Sequence, residues 1–462
     1  MTTVDLREAV KSALRAARGC GQPRWAALRG AVSPRDGLAA FDREAERFYW
    51  ERPSEGRAVA AYGAVAIIET EGPERFALAA RRAEEIFAGL HVAGDAEPAS
   101  AGPLLVGGFA FADAAPASPV WRGFPAGRLV LPEVLVTRLQ DRFHCTVVRA
   151  VDPAADVDTE CRVLRQRFDE VCASPRGRPA PGVERGAPEF LATADRPHAE
   201  FGGQIAAALD AISAGDLEKV VLARSVRLEH RDGFAPRALL ETLRRTYPSC
   251  ASFAVGRPGA VFLGATPERL VRIEDRRVET AAVAGSAPRG RTPEEDARLG
   301  RELRENKKEQ AEHAVVVRAL RDTLATCCDD LTVAETPRLL RLEGIQHLET
   351  PLSGHLANGT SLLELVGRLH PTPAVAGAPR RAALDWIALH EGLDRGAYAG
   401  PIGFVDADGK GEFCVALRAA VLRGGEARLF AGAGIVSGSE PEAELRETRL
   451  KLRALLAPLL EI

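Results

Sequence analysis

A chain of 462 residues with 46% hydrophobic and 27% charged residues is typical of a globular protein of one large domain or two to three ordinary ones. The net charge of −3 and a pI near 6.4 exclude the strongly basic surface of a general nucleic-acid-binding protein. No apolar run is long enough to span a bilayer, and residues 1–19 lack the unbroken apolar core of a secretory signal.

The eight cysteines are scattered and form no C-x-x-C pair. Scattered thiols of this kind are typical of a reducing compartment, where they serve as small buried apolar groups. This usage argues against a zinc site. We therefore expect a cytoplasmic protein with neither nucleic acid nor a membrane as a partner.

The first part of the chain predicts an amphipathic helix followed by strands. Leu6, Val10 and Leu14 recur at helical spacing. Residues 57–150 alternate short apolar runs with turn signals, which predicts strands, and a helix is expected over Glu74–Leu90. The proline- and glycine-rich residues 173–188 predict either a surface loop within one domain or a linker between domains.

After residue 195 the predicted elements alternate more sharply. Helices are expected over residues 198–216 and 236–248, with Ile205, Leu209 and Ile212 on one face of the first. One long helix is expected from about Glu295 to Thr326. Further predictions are strands over residues 217–229 and 251–275, three strands over residues 398–436, and a terminal helix. Hairpins outnumber βαβ units, so the sequence predicts a mixed α+β chain with largely antiparallel sheets.

Two of these helices carry carboxylates along one face, at spacings of three and four residues. The first has Glu305, Glu309 and Glu312, and the second has Glu444, Glu447 and Lys451. Ser439-x-x-Glu442 predicts a capping box, which would start the second helix at Ser439. Either helix alone is explained by a solvated face with ion pairs. Two such helices facing each other would suit a hard divalent cation such as Mg²⁺.

A glycine loop, Gly432-x-Gly434-x-x-x-Gly438, precedes the terminal helix. A dinucleotide-binding unit would need a further strand after that helix, and too few residues follow. The spacing also departs from G-x-G-x-x-G. What remains is a strand-to-helix turn whose backbone N–H groups could hold a carboxylate.

Ordered motifs across residues 215–451 resemble the chorismate-utilising enzymes, which comprise isochorismate synthases, salicylate synthases and the large subunits of anthranilate and aminodeoxychorismate synthases. The motifs are GDLEKVVLARS, GATPERL, TAAVAGSAPRG, KKEQAEHAVVV, IQHLETPLSG, LHPTPAVAGAP, RGAYAGPIGF, EFCVALRAA and AGAGIVSGSEPEAELRETRLK. The resemblance implies a single large α/β (α+β) domain of two mainly antiparallel sheets with helices outside, like anthranilate synthase component I. Residues 1–195 match more loosely as the N-terminal half, and residues 196–462 form the chorismate-binding catalytic region.

The resemblance also implies a ligand set. Mg²⁺ would lie on the ring carboxylate of chorismate, held by Glu312 and Glu447, with Glu309 and Glu444 nearby through water. Arg418, Tyr398 and the Gly434 N–H would hold the enolpyruvyl carboxylate, as an arginine fork suits that group. The implied substrate-binding residues are Gly285, Ser286, His347, Ala374, Tyr398, Arg418, Gly432, Gly434 and Lys451.

The reaction implied by the resemblance depends on three positions. Lys219 stands where water-using relatives carry Lys and anthranilate-forming relatives carry Gln, so it is expected to be the general base. Glu268 is the implied general acid, which needs a raised pKa. Ala374 stands where salicylate and anthranilate synthases carry Thr, so we expect conversion of chorismate to isochorismate without pyruvate elimination.

Several alternatives stay open. Salicylate synthesis, amine formation with a glutaminase partner, and a non-catalytic chorismate-binding protein are the other functions considered. The residues do not choose between a menaquinone and a siderophore pathway, although FYWERP near residue 50 leans toward menaquinone. A monomer is expected because relatives are often monomers.

Overall fold

A computed structural model describes residues 3–42, 46–95, 99–173, 190–357 and 359–461. Its helices are α1 (Thr3–Cys20), α2 (Arg75–Ala88), α3 (Val157–Ala173), α4 (His198–Ser213), α5 (Pro236–Thr246), α6 (Pro293–Glu305), α7 (Lys307–Leu324), α8 (Leu362–Leu369), α9 (Arg380–His390) and α10 (Pro441–Glu461). None of the described helices is long and apolar enough to cross a membrane. The proline- and glycine-rich residues 173–188 lie outside the described ranges, apart from Ala173.

The strands build two large sheets. They are β1 (Arg24–Val32), β2 (Arg47–Arg52), β3 (Arg57–Tyr62), β4 (Ala66–Thr70), β5 (Leu90–Gly94), β6 (Leu104–Phe109), β7 (Gly127–Leu131), β8 (Val134–Leu139), β9 (Arg142–Val151), β10 (Phe190–Ala194), β11 (Lys219–His230), β12 (Ala251–Arg257), β13 (Ala260–Thr266), β14 (Arg269–Glu274), β15 (Arg277–Pro288), β16 (Cys328–Val333), β17 (Arg338–Arg341), β18 (Ile345–Leu356), β19 (Gly377–Ala378), β20 (Pro401–Asp406), β21 (Gly411–Val415), β22 (Ala419–Arg423) and β23 (Glu426–Ile435).

The larger sheet has 13 strands in the order β10-β11-β23-β22-β13-β12-β2-β3-β8-β9-β1-β5, with β19 also beside β11. The smaller sheet has 10 strands in the order β16-β18-β15-β14-β21-β20-β6-β7-β4, with β17 also beside β18. Among the described pairings, β1 with β5 is parallel and the others are antiparallel. The predicted fold class of two mainly antiparallel sheets is therefore confirmed.

The main hydrophobic core joins the two sheets. Trp50 of β2 in the larger sheet meets Phe404 of β20 in the smaller one edge to face, with ring centroids 5.2 Å apart. The predicted N-terminal helix is also confirmed, since Leu6, Val10 and Leu14 are buried against a separate cluster. Of the cysteines, Cys145, Cys250, Cys327 and Cys414 are buried as expected, whereas Cys20 is exposed.

The prediction of one long helix from Glu295 to Thr326 is wrong, because the helix is interrupted at Asn306 and two helices form. This residue has φ −70° and ψ 115°, and its side chain accepts hydrogen bonds from the N–H groups of Lys308 and Glu309. A short amide side chain that caps a new helix competes with continuation of the old one. The break leaves Glu305 on α6 and places Glu309 in the first turn of α7.

The prediction of three strands over residues 398–436 is also wrong, since the chain forms four. β20 and β21 belong to the smaller sheet, and β22 and β23 belong to the larger one. The crossing lies at Arg418, which has a φ of +48°. A left-handed backbone conformation is uncommon at a non-glycine residue. Here it lies between the last strand in the smaller sheet, β21, and the next strand, β22, in the larger one.

The predicted capping box at Ser439 is absent, and α10 begins at Pro441. Proline lacks an N–H and has a preset φ, so it suits a first helical position. The Ser439 hydroxyl instead accepts a hydrogen bond from the Val436 N–H, 3.2 Å away. Ser439 therefore closes the loop after β23 rather than capping the helix.

Candidate active site

One pocket, with about 700 Å³ of space including its mouth, gathers most of the predicted site residues. It lies beside β23 and is closed by side chains from α7 and α10. The predicted residues that line it are Glu268, Gly285, Ser286, Glu312, His347, Ala374, Tyr398, Arg418, Gly432, Gly434, Glu447 and Lys451. The other three, Lys219, Glu309 and Glu444, are not among the lining residues and lie behind the pocket wall.

Lys219 begins β11 and its side chain is fully buried. Its Nζ lies 2.9 Å from Glu312 Oε1 of α7, which is an ion-pair distance, although the angles depart from hydrogen-bond geometry. Among the described residues, no other group accepts a hydrogen bond from this Nζ. Burial would raise the pKa of Glu312, but the charge of Lys219 outweighs it and the pKa is lowered. Glu312 is therefore ionised and paired with the predicted base.

Gly434 is required beside this pair. A Cβ at this position would overlap Glu312 Oε1 and would lie 2.9 Å from Lys219 Cε. The missing side chain gives the carboxylate and the ammonium the space in which they meet. The glycine spacing seen in the sequence thus has a steric cause at Gly434.

Glu268 follows β13 and is 5% exposed. Its backbone is fixed on both sides, since its N–H donates to Thr266 Oγ1 and its carbonyl accepts from the Val415 N–H. Burial raises the pKa of Glu268 to about 7, against the opposing charges of Lys219 and Lys451. A carboxyl with this pKa is partly protonated near neutral pH, as a general acid requires.

Four carboxylates from α7 and α10 face one another behind and beside the pocket. Lys308 Nζ lies 2.7 Å from Glu444 Oε1 and 3.3 Å from Glu309 Oε1, and so bridges the two helices. Lys451 Nζ lies 2.6 Å from Glu447 Oε1. Burial, followed by neighbouring carboxylates, raises the pKa of both Glu309 and Glu444. Sequence reasoning missed Lys308, because its role depends on the distance between two helices.

These carboxylates fit a divalent cation by their chemistry. No three His, Cys, Asp or Glu side chains in the described ranges converge closely enough to chelate an ion in this conformation. Mg²⁺, however, takes one or two protein carboxylates and completes its shell with water and substrate. Glu312 and Glu447 both reach the pocket, and Glu444 Oε2 is buried without a hydrogen-bond partner in the part of the chain that the structure describes. An unpartnered buried oxygen among repelling carboxylates is the environment that a cation stabilises.

His347 and Arg418 form the polar wall of the pocket. Arg418 NH2 lies 3.0 Å from His347 Nε2, and His347 Nδ1 lies 3.0 Å from Ser286 Oγ and 3.3 Å from the Gly285 carbonyl. Because a guanidinium only donates, Nε2 must accept and Nδ1 must carry the proton. Burial and the charge of Arg418 hold the pKa of His347 well below its usual value. His347 is therefore neutral and orients Arg418 toward the pocket.

Gly432 and Gly434 turn their backbone groups away from β11. Gly434 pairs with Val221, whose N–H donates to the Ala376 carbonyl. Gly432 pairs with Ala223, whose N–H donates to Glu391 Oε2. These are thus the non-hydrogen-bonded pairs of the ladder, in which backbone groups point outward. The Gly432 carbonyl accepts from Lys451 Nζ at 2.8 Å. The Gly434 N–H likewise points away from β11.

Among the pocket residues that were not identified from the sequence, Arg395 and Phe430 have the largest side chains. Arg395 lines the pocket and is 3% exposed, and its Nε lies 2.6 Å from Glu391 Oε1. The spacing of four residues could have indicated an ion pair, but not its burial. Phe430 stacks on Tyr398 with centroids 5.2 Å apart and forms an apolar wall.

The family described as chorismate binding enzyme matches residues 12–460. A salicylate biosynthesis isochorismate synthase of Pseudomonas aeruginosa is 36% identical over 454 residues, which cover 97% of this chain and 93% of that protein. The structure of the menaquinone-specific isochorismate synthase from Escherichia coli is similar with a TM-score of 0.78 and 26% identity, covering 98% and 100% of the two chains. Anthranilate synthase component I from Streptococcus pneumoniae shares the fold, with a TM-score of 0.69, 23% identity, and coverage of 86% and 92%.

Proposed function

Because the chain belongs to the chorismate-binding enzyme family, we propose that it is an isochorismate synthase, an isomerase that converts chorismate reversibly to isochorismate. The observation that carries this proposal is that two buried ionisable groups lie at one pocket, Glu268 in its lining and Lys219 against Glu312 of that lining. Glu268 has a pKa of about 7, and Lys219 lies within ion-pair distance of a pocket carboxylate. An acid and a base are what the exchange of one hydroxyl group for another needs.

In the ion pair with Glu312, Lys219 carries a proton, which it must first release to solvent. As the neutral amine, it then takes a proton from water as the water oxygen attacks C2 of chorismate. The ring double bonds shift, the C4–O bond breaks, and Glu268 donates its proton to the departing hydroxyl, which leaves as water. One water enters and one leaves, so substrate and product are isomers. The two groups then exchange protons with solvent, and the reverse reaction uses them in opposite roles.

Glu312 and Glu447 would hold Mg²⁺, which would neutralise and orient the ring carboxylate of the substrate. Glu309 and Glu444 would hold water on that ion, and the free Glu444 Oε2 has the chemistry to accept from such a water. Arg418, oriented by neutral His347, would bind the enolpyruvyl carboxylate through its fork.

Ala374 supports isomerisation without the lyase step. It lines the pocket and carries no hydroxyl that could hydrogen-bond the substrate. Pyruvate elimination to salicylate would therefore lack a positioning group that the resemblance associates with lyase-competent relatives. The alternative of a salicylate synthase remains the second candidate, and its product is directly distinguishable.

For the cellular setting, we propose a cytoplasmic monomer that supplies isochorismate to a biosynthetic pathway. One relative is named for salicylate biosynthesis and one solved structure for menaquinone, so the names do not favour one pathway. Light scattering on a size-exclusion column should give the 49.4 kDa mass of one chain. A mass of two chains would contradict the monomer.

Incubation with chorismate and Mg²⁺, followed by chromatography, tests the proposed function. We expect isochorismate as the main product, re-formation of chorismate from isochorismate, and loss of turnover with EDTA that added Mg²⁺ restores. Salicylate as the main product would overturn the Ala374 argument. An aminated product with ammonia or glutamine would indicate an amine-forming subunit, and binding without turnover would indicate a non-catalytic protein.

A further inference from the structure

A buried arginine lies away from the chorismate pocket, on β11. Successive side chains of a strand point to opposite faces. Val221 lines the pocket, so Arg224, three residues later, leaves the strand on the other face. There it contacts Thr448 of α10 through a hydrogen bond of 3.2 Å, and its Cζ lies 5.9 Å from the ring centroid of Phe201 of α4.

Arg224 has no acidic partner among the described residues. It is 3% exposed, and within those residues it contacts a neutral hydroxyl and an aromatic ring. Burial, followed by the charges of Arg449 and Arg196, lowers its pKa. A buried cation that faces other cations is unfavourable unless an anion joins it.

The surrounding groups open toward solvent and add positive charge. Arg449 of α10 is exposed, and its NH2 lies 3.2 Å from His198 Nδ1 at the first position of α4. The preceding Pro197 caps this helix without a side-chain hydrogen bond. The N–H groups of Glu200 and Phe201 donate to the Pro197 carbonyl, whereas those of His198 and Ala199 have no acceptor among the described residues. The amino end of this 16-residue helix also carries the positive end of the helix dipole.

The nearby acidic side chains do not neutralise this cluster. Glu200 Oε1 is 3.8 Å from Arg196 NH1 and its side chain is 55% exposed. The charge of Glu442 favours the protonated form of His198, and Glu442 is also exposed. Exposed carboxylates at these distances are screened by water and contribute little. Neither forms an ion pair with Arg224 or Arg449 among the described residues.

We propose that Arg224, Arg449 and the amino end of α4 form a binding site for a phosphate group, separate from the chorismate pocket. The guanidinium fork and free helix N–H groups are the donors that bind tetrahedral oxyanions in proteins. The group could belong to free phosphate or to a small phosphate monoester. The site does not depend on the proposed isochorismate synthase activity.

The test measures binding of inorganic phosphate and of glycerol 3-phosphate to the full chain by calorimetry, with chloride keeping ionic strength constant. We expect saturable binding of one ion to the wild type, weakened about tenfold or more in Arg449→Ala. Tighter binding of glycerol 3-phosphate than of phosphate would identify a monoester as the ligand. Equal or weaker binding of glycerol 3-phosphate would identify the free ion.

Three further variants keep this test falsifiable. Arg418→Ala removes a cation of the chorismate pocket and should leave phosphate binding unchanged, and Arg301→Ala on α6 removes an exposed charge elsewhere. Arg224→Met should abolish phosphate binding. If Arg224→Met fails to fold, Arg449→Ala still tests the site, because Arg449 is exposed and its loss should not disturb the fold. Absence of saturable binding, equal binding by wild type and Arg449→Ala, or loss in Arg418→Ala instead would overturn the proposal.

Discussion

The two halves of the chain contribute to both sheets but differ in what they give to the pocket. In the larger sheet, strands after residue 195 pair with strands before it where β12 meets β2 and where β11 meets β10. In the smaller sheet they do so where β20 meets β6. The residues that line the pocket all fall within Val221–Lys451. Within the described ranges, the first half therefore contributes to the pocket by supporting its wall.

That support includes two aromatic contacts. Trp121 stacks on Phe430 with centroids 5.4 Å apart, and Phe111 lies under Arg395, whose Cζ is 4.2 Å from the ring centroid. Phe430 and Arg395 line the pocket themselves. The comparison predicts that substitutions in the second half change chemistry, whereas those in the first half mainly change stability.

The largest effect is expected for Lys219→Ala. Removal of the base should reduce kcat to near the detection limit, since general-base catalysis contributes about 10²- to 10⁴-fold and Glu312 would also lose its ion-pair partner. Circular dichroism should show an intact fold. Retained turnover would remove Lys219 as the base and weaken the contrast between the halves.

Glu268→Gln should lower kcat by about 10²- to 10⁴-fold, because the amide has no proton to give. In the wild type, kcat/KM for chorismate should fall as pH rises through about 7, where the pKa of Glu268 lies and the acid form is lost. Steady-state rates across pH measure both effects. A profile that stays flat through neutral pH would argue against Glu268 as the acid.

Glu268→Gln should also change stability with pH. The raised pKa favours the folded state below the unfolded value of 4.5, and this advantage is lost as pH rises through about 7. At about 1.4 kcal/mol per pKa unit, the variant should be more stable than the wild type by up to about 3 kcal/mol near pH 8 and equal to it near pH 4. Urea unfolding at the two pH values tests this difference.

Trp121→Ala should cost about 3–5 kcal/mol of unfolding free energy, as loss of a buried aromatic does. It should also raise KM, because Phe430 loses one of its two stacking partners and keeps only Tyr398. Trp50→Ala is the matched control, since Trp50 is equally buried but packs on Phe404 rather than on a pocket residue. It should lose similar stability with unchanged KM. Equal KM changes in both variants would contradict support through Phe430.

The smallest effect is expected for Ala374→Thr. A hydroxyl at this pocket position should add some pyruvate release without removing isochorismate formation. A coupled pyruvate assay beside chromatography of the products measures the ratio. Ala374→Ser tests the hydroxyl with less added volume, and no pyruvate from either variant would remove position 374 as the determinant of lyase activity.

Much of the site was predictable because its residues follow local patterns. The carboxylates of α7 and α10 recur at helical spacing, and the ordered motifs indicated Lys219 and Glu268 directly. Their placement in or beside one pocket follows from the fold that those motifs imply. The catalytic and ligand roles of these residues stay predictions.

The errors have one physical origin, which is that local signals compete. Asn306 interrupts a periodic apolar pattern because its side chain caps α7. Ser439 has the spacing of a capping residue, but Pro441 starts the helix. Arg418 breaks an apparent strand because the chain crosses between sheets there. Bridges such as Lys308 depend on tertiary distances that one sequence does not contain.

The source of the oxygen on C2 of the product shows whether Lys219 activates water. Chorismate and Mg²⁺ are incubated with the enzyme in heavy-oxygen water, and the product is analysed by mass spectrometry. If Lys219 activates solvent water for attack at C2, isochorismate should carry one heavy oxygen on C2, and chorismate re-formed in the reverse reaction should carry it on C4. Isochorismate without the label would show that the substrate's own hydroxyl migrates, and would contradict the account.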